Sequence, residues 1–329
     1  MAKIFVSRKF PGTHLEKLQN SGNEVIVCQD DRPLTPEEFL ERSKGMDAVL
    51  SFLTDKIDGD VIDAIGPQIK IFSNYAVGFD NINVKEATDR RVLIANTPCD
   101  EVNEAVAEHA VTLMLALARR VVEADESTKR GSYRGWEPNI FLGRALKGKT
   151  LGIIGLGRIG TMVAKRVKGF DMRVLYNKRS PDPDAEKEFG IEFADLDKLY
   201  RESDFISTHV PLTDETRGMI GKGALSKMKQ GVIIVNTARG PIVDEHALVD
   251  GLREGKVGGA GLDVFETEPN INPELIGMEN VILTPHIASA TFEAREKMGQ
   301  LAVDAILKTF NGEKPENLVN PEIWDSRRK

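Results

Sequence analysis

Cysteine is scarce in this chain. Cys28 and Cys99 are the only two in 329 residues, they lie far apart, and they form no CxxC spacing. A disulfide framework and a thiolate metal site are therefore excluded, and no metal centre is expected. Positive charge is also in short supply: 44 Lys and Arg against 51 Asp and Glu leave a net charge of -7. That is the wrong sign for a surface that neutralises phosphates, so no nucleic-acid partner is expected. Long apolar runs are missing too. The stretch 110–118 contains Thr112 and is bounded by His109 and Arg119, well short of the ~20 residues a bilayer requires. At the N-terminus, the strand-like Ile4-Phe-Val6 is flanked by Lys3, Arg8 and Lys9, which is not the pattern of a signal peptide. Neither export nor a membrane partner is predicted, and a cytoplasmic enzyme is the expectation. No repeat of fixed period and no low-complexity tract occurs, and residues 325–329 are expected to be a solvated end.

What is present points to an α/β protein. The chain is 41% apolar and 29% charged with 29 glycines, and its length exceeds what one core normally organises, so two domains are expected. Short apolar runs at 4–6, 25–27, 48–50, 69–72 and 92–94 alternate with helical patterns at 14–20, 36–44, 61–65 and 84–89. Strands alternating with single helices predict a parallel sheet covered on both faces, because parallel neighbours need crossover connections. A long helix is predicted over 103–126, where Val106, Ala110, Leu113, Leu117 and Val121 recur at helical spacing. After an irregular loop carrying Trp136, further strands near Val174, Phe205, 232–235, 259–262 and 281–283 join the one at Leu151 in a six-stranded sheet. A last helix over 290–310 can return to the first domain. The expectation is two doubly wound parallel-sheet domains separated by a cleft, 1–98 with 290–329 and 99–289.

The second unit opens on its most informative stretch. Leu151-Gly-Ile-Ile154 leads through Gly155-Leu-Gly157-Arg-Ile-Gly160 into Thr161-Met-Val-Ala-Lys-Arg-Val-Lys168, which has helical periodicity. Strand, glycine turn and helix in succession make a dinucleotide fingerprint out of what would otherwise be a common loop. Gly155 permits the tight turn, Gly157 lets the backbone approach a pyrophosphate, and Gly160 lets the helix pack on the strand, while free amides at the helix start attract the anion.

Such folds normally end their second strand in an acid that accepts from the ribose hydroxyls, ~20 residues after the glycines. Here that acid is missing, since Arg173-Val-Leu-Tyr176 runs into Asn177-Lys178-Arg179-Ser180. Two cations and a hydroxyl suit a 2′-phosphate. NADP(H) is therefore expected in preference to NAD(H), with a solvated basic turn as the alternative.

Three further strand ends carry chemistry. Asn236-Thr-Ala-Arg239-Gly, Asp263-Val-Phe-Glu-Thr-Glu268 and Thr284-Pro-His286 each follow an apolar strand, where open α/β sheets bind ligands. Arg239 can hold a carboxylate bidentately, His286 can transfer a proton at neutral pH, and Glu268 can hold the imidazolium. Of the five histidines, only His286 has such a setting.

With these motifs the chain resembles the D-2-hydroxyacid dehydrogenases over nearly its whole length. Asn74-Tyr-Ala-Val-Gly-Phe-Asp-Asn81, Asn96-Thr-Pro98, Val106-Ala-Glu-His-Ala110, the glycine turn, His209-Val-Pro-Leu212 and the three strand-end motifs all match that pattern. The resemblance implies a flavodoxin-like substrate domain and a Rossmann cofactor domain. It assigns Arg239, Glu268 and His286 to catalysis, and Val77, Gly78, Arg239 and Ser289 to the substrate. Val106, Arg158, Ile159, Val210, Pro211, Thr216, Thr237, Ala238, Arg239, Asp263, His286 and Ala288 would join the glycines and the basic turn around the cofactor, with Asp263 orienting the nicotinamide amide.

Within the family the chain is most similar to glyoxylate and hydroxypyruvate reductases. The implied activity is reduction of a small 2-oxo acid. Alternatives are an NAD-dependent dehydrogenase of another D-2-hydroxy acid, of the D-lactate or D-3-phosphoglycerate type, and a dinucleotide-sensing corepressor-like binder. A homodimer through the 103–126 helix and the Trp136 loop is expected.

Overall fold

Residues 1–328 are described by a computed structural model, in which the apolar runs of the first hundred residues are buried on both faces, as strands beneath two helical layers must be, except at the edge run 25–27, where Ile26 is exposed. The strands are β1 (Lys3–Val6), β2 (Glu24–Val27), β3 (Ala48–Ser51), β4 (Ile71–Asn74) and β5 (Leu93–Ala95), all parallel in the order β2-β1-β3-β4-β5. Between them run α1 (His14–Gln19), α2 (Pro36–Ser43), α3 (Gly59–Ile65) and α4 (Val84–Asp89). Local chemistry explains where these helices begin. Thr35 and Glu38 form a reciprocal capping box around Pro36, and Asp58 and Asn83 accept from the first-turn amides of α3 and α4. The core of this unit includes Phe5, Val49, Ile62, Phe72 and Ile94, all fully buried, each contributing about 1.5–3 kcal/mol by its removal from water. The fourth strand starts two residues later than its apolar run predicts, because Ile69 is buried in the core cluster ahead of the ladder.

The predicted helix over 103–126 is two helices, α5 (Asp100–Ala118) and α6 (Val121–Lys129). Arg120 takes a left-handed conformation at the break, with φ 52°. A tertiary contact ends the first helix: the amide of Arg144 donates to the Ala118 carbonyl at 2.7 Å. The Arg120 guanidinium lies over the Phe141 ring, 5.4 Å from its centroid.

The second sheet has seven strands. They are β6 (Thr150–Ile154), β7 (Arg173–Asn177), β8 (Glu192–Phe193), β9 (Phe205–Thr208), β10 (Val232–Asn236), β11 (Val257–Leu262) and β12 (Val281–Leu283), in the order β12-β11-β10-β9-β6-β7-β8. The additional strand is the two-residue edge piece β8, paired with Leu175 and Tyr176. Its helices are α7 (Arg158–Val167), α8 (Pro183–Phe189), α9 (Leu196–Glu202), α10 (Lys222–Lys227), α11 (Glu245–Arg253) and α12 (Pro273–Ile276). The chain then forms α13 (Phe292–Phe310), which packs on α1 and β4, with Ser73 Oγ donating to the Ala302 carbonyl at 2.9 Å.

Two compact units result, 1–102 with 290–329 and 103–289. The C-terminal segment departs from the expected solvated end. A 3-10 turn spans Pro321–Ser326, the Asn320 side chain bridges to the backbone of Val92 and Ile94, and Arg328 donates to the carbonyls of Arg90 and Gly66. Lys329 lies outside the described residues. Among those residues, no helix is long and apolar enough to cross a membrane, and no cluster of three metal-ligating side chains occurs.

Candidate active site

The glycine turn after β6 is as tight as its sequence requires. Gly155 has φ 96°, and a Cβ there would stand 2.6 Å from the His209 carbonyl oxygen, against the segment that carries Val210. A Cβ on Gly160 would collide with the Gly155 carbonyl, so only glycine lets α7 start this close to its strand. At Gly157 the space beyond the backbone is open, and no side chain caps α7, so Arg158, Ile159 and Gly160 present uncapped first-turn amides. Beside it the 211–216 loop is held by Thr216, whose hydroxyl donates to the Pro211 carbonyl at 2.7 Å. The buried Thr237 hydroxyl has no hydrogen-bond partner among the described residues. An open anion cradle on a ten-residue helix and an unpaired buried hydroxyl are what a pyrophosphate-bearing dinucleotide would satisfy, so these residues fit such a cofactor.

At the end of β7 the structure adds an acid that its last residue lacks. Lys178 Nζ bonds Asp182 Oδ2 at 2.7 Å, and Asp182 is also the N-cap of α8. Its carboxyl is held below the usual carboxylate range, chiefly by Lys178 and then by the Ala185 amide, with burial opposing. Arg179 and Ser180 are exposed and make no hydrogen bond or ion pair among the described residues.

Beyond β10, Asn236 builds the turn that presents Arg239. Its buried side chain accepts from Thr208 Oγ1 at 2.8 Å and from the Ala238 amide at 3.1 Å, and donates to the Arg239 carbonyl at 2.9 Å. The next residue, Gly240, packs its backbone against the Phe265 carbonyl, and Glu245 accepts from the Glu266 amide at 2.7 Å. The segments after β10 and β11 are thereby joined. Arg239 lies near enough for its charge to act on Glu268.

Glu268 and His286 meet: Nδ1 lies 2.8 Å from Oε2, with each side chain about 30% exposed, at 31% and 30%. The other Glu268 oxygen accepts from the Phe265 amide at 3.0 Å. Burial raises the Glu268 carboxyl, but the His286 bond and charge, the Phe265 amide and the Arg239 charge outweigh it and hold the group below its ordinary value. Glu268 is therefore ionised at neutral pH and accepts from Nδ1–H, which leaves Nε2 as the ring nitrogen that can face a substrate. His286 has φ 55°, a left-handed backbone that costs a non-glycine residue about 1–3 kcal/mol and persists only where its surroundings enforce it.

The enforcing group is Asp263, fully buried. Its Oδ1 accepts from Thr284 Oγ1 at 2.6 Å and from the Ile287 amide at 2.8 Å, and its Oδ2 from the Ala288 amide at 2.8 Å. Its carboxyl is pushed up by burial yet held low overall by bonds from His109, Thr284 and these two amides. Both Asp263 oxygens are thus spent on the 284–288 segment that carries His286 and leads into Ser289. His109 on α5, which sequence reasoning set aside, reaches the same cluster, with Nε2 3.0 Å from Thr284 Oγ1. No sequence signal links positions 175 apart. Val106, one turn before it on α5, is buried.

Val77 and Gly78 belong to the first unit. Their carbonyls are pinned by Asn96 Nδ2 at 2.7 Å and Asn74 Nδ2 at 3.1 Å, while their amides donate to nothing among the described residues. Asn81 closes the loop on the carbonyls of Phe52 and Asp55.

Comparison with known proteins shows the family. Residues 111–288 match the model of the D-isomer specific 2-hydroxyacid dehydrogenase NAD binding domain. A glyoxylate reductase of Thermococcus kodakarensis is 47% identical over 330 residues, covering 99% of this chain and 98% of its own. A solved Thermus thermophilus protein superposes with a TM-score of 0.91 at 39% identity, covering 96% of this chain and 99% of that one. An acyclic imino acid reductase solved with NADPH and D-Arg gives a TM-score of 0.83 at 30% identity, covering 96% and 99% of the two chains. The chain belongs to the D-isomer specific 2-hydroxyacid dehydrogenases, oxidoreductases that use a nicotinamide dinucleotide to act on CH–OH groups.

Proposed function

We propose that this protein reduces small 2-oxo acids, glyoxylate and hydroxypyruvate foremost, and prefers NADPH to NADH. The observation that carries the reading is the 2.8 Å His286–Glu268 pair with Arg239 on the adjoining strand end. Near-half identity to glyoxylate reductases over the full chain supports the substrate class. A nicotinamide dinucleotide held at the first-turn amides of α7 would supply, when bound, the hydride for the carbonyl carbon.

The chain's own residues do the rest. Arg239 pairs with the substrate carboxylate and draws charge toward the carbonyl oxygen, and the Val77 and Gly78 amides, which donate to nothing among the described residues, are suited to donate to a carboxylate. His286 gives its Nε2 proton to that oxygen, completing the 2-hydroxy acid, and Glu268 stabilises the imidazolium until it does so. Preference for NADPH is supported by Asn177 in place of an acid as the last residue of β7 and by the exposed Arg179, with Asp182 engaged by Lys178. A homodimer is part of the proposal, supported by Trp136, 85% exposed, with Tyr133, Leu142 and Val121 also exposed in the same unit.

The test is a steady-state screen of 2-oxo acids with each dinucleotide. Glyoxylate and hydroxypyruvate with NADPH should give the highest kcat/KM. A better rate with pyruvate or a bulkier acid, or with NADH, would overturn the corresponding part.

A further inference from the structure

The loop that carries His286 is held by Asp263 and, behind it, by two side chains with no assigned part in the reaction, Thr284 and His109. Asp263 is ionised and can only accept. The Thr284 hydroxyl has one proton, and the 2.6 Å bond places it on Asp263 Oδ1. The 3.0 Å contact between His109 Nε2 and Thr284 Oγ1 then has one consistent polarity, with Nε2–H donating to the hydroxyl oxygen. His109 Nε2 also lies 3.5 Å from Asp263 Oδ1, and its side chain is only 18% exposed. From Asp263 the chain continues to the amides of Ile287 and Ala288, while the Asp263 carbonyl accepts from the His286 amide at 2.9 Å.

We propose that His109 is a positioning residue: through Thr284 and Asp263 it locks segment 284–288 in the left-handed turn that presents His286 to Glu268. The inference rests on His286 being the proton carrier of the proposed reaction. An ionised carboxylate with no counter-charge against it is costly to bury, and each donor on Asp263 lowers that cost. His109 backs the Thr284 donor from a helix, which is a rigid support. Hydrogen bonds in such a chain polarise one another, so the donor furthest from His286 still strengthens the two that hold its loop. Removing it would let the strained turn relax, and His286 would spend part of its time away from Glu268.

Two pairs of variants test this in the full-length enzyme. His109→Leu deletes the donor and His109→Gln keeps an N–H at similar reach. Thr284→Val deletes only the hydroxyl and Thr284→Ser restores it. For His109→Leu and Thr284→Val, kcat for glyoxylate should fall about tenfold or more with KM within about twofold, as expected for loss of one hydrogen bond to a charged group. Amide exchange at Ile287 and Ala288 should accelerate by a similar factor, about tenfold. The Gln and Ser variants should recover most of both.

Wild-type exchange and kcat in Thr284→Val would overturn the proposal. So would a loss in His109→Leu that His109→Gln repeats in full, which is the signature of packing alone. Should the wild-type enzyme reduce no 2-oxo acid, the proposed function fails, and the exchange rates still decide whether His109 holds the loop.

Discussion

Arg239 is asked to recognise a carboxylate by shape as well as charge, and the two can be separated. Arg239→Lys keeps the cation and loses the planar fork. A charge-assisted contact is worth about 1.5–3 kcal/mol, so kcat/KM for glyoxylate should fall roughly ten- to hundredfold. Steady-state kinetics check this, and near-normal values in Arg239→Ala would remove the residue from the role. Glu268 gives a pH prediction whose sign follows from its depressed carboxyl. Because that group stays ionised down to acid pH, its negative charge lies beside the His286 ring throughout the working range. Glu268→Gln removes the negative charge that an imidazolium would pair with, and the alkaline limb of the reduction profile should move toward acid. A profile identical to wild type would leave the glutamate a structural carboxylate. These residues were legible in the sequence because each follows an apolar strand, and strand ends are where such sheets place chemistry. Asn236, His109 and the Asp263 cluster were not, because their roles exist only in bonds between segments far apart in the chain.

At the scale of elements, the proposed NADPH preference rests on the turn after β7. Lys178 is already paired with Asp182, so Arg179 carries the stronger expectation. Arg179→Ala should weaken NADPH binding about tenfold or more and leave NADH nearly unchanged. Equal weakening of both, measured by fluorescence titration, would make the turn a solvated loop. Asp182 was visible as a residue, but its pairing was not, since whether an i,i+4 acid turns back depends on where α8 begins. The break at Arg120 was hidden for a similar reason. Helical spacing continues through it, and the contact that ends α5 comes from Arg144, distant in sequence. A two-residue edge strand such as β8 is too short for any periodicity to show. The glycine turn is the opposite case, because its φ and its close approach are requirements that glycine alone meets, and the sequence states them directly.

The molecule as a whole should be a twofold dimer. Trp136 is 85% and Leu142 66% exposed, and a self-complementary interface would bury them. Sedimentation at micromolar concentration should give about twice the 36.3 kDa chain mass. A monomer would leave these side chains without a purpose.

The central claim, that His286 donates the proton while Arg239 holds the carboxylate, is tested most directly by following NADPH oxidation by the purified protein with glyoxylate, in wild type and in His286→Ala. Catalysis in the wild type and a loss of at least about a hundredfold in the variant are predicted, the usual scale for removing a general acid. Wild-type inactivity, or a His286→Ala variant that turns over glyoxylate as fast as the wild type, would contradict the account.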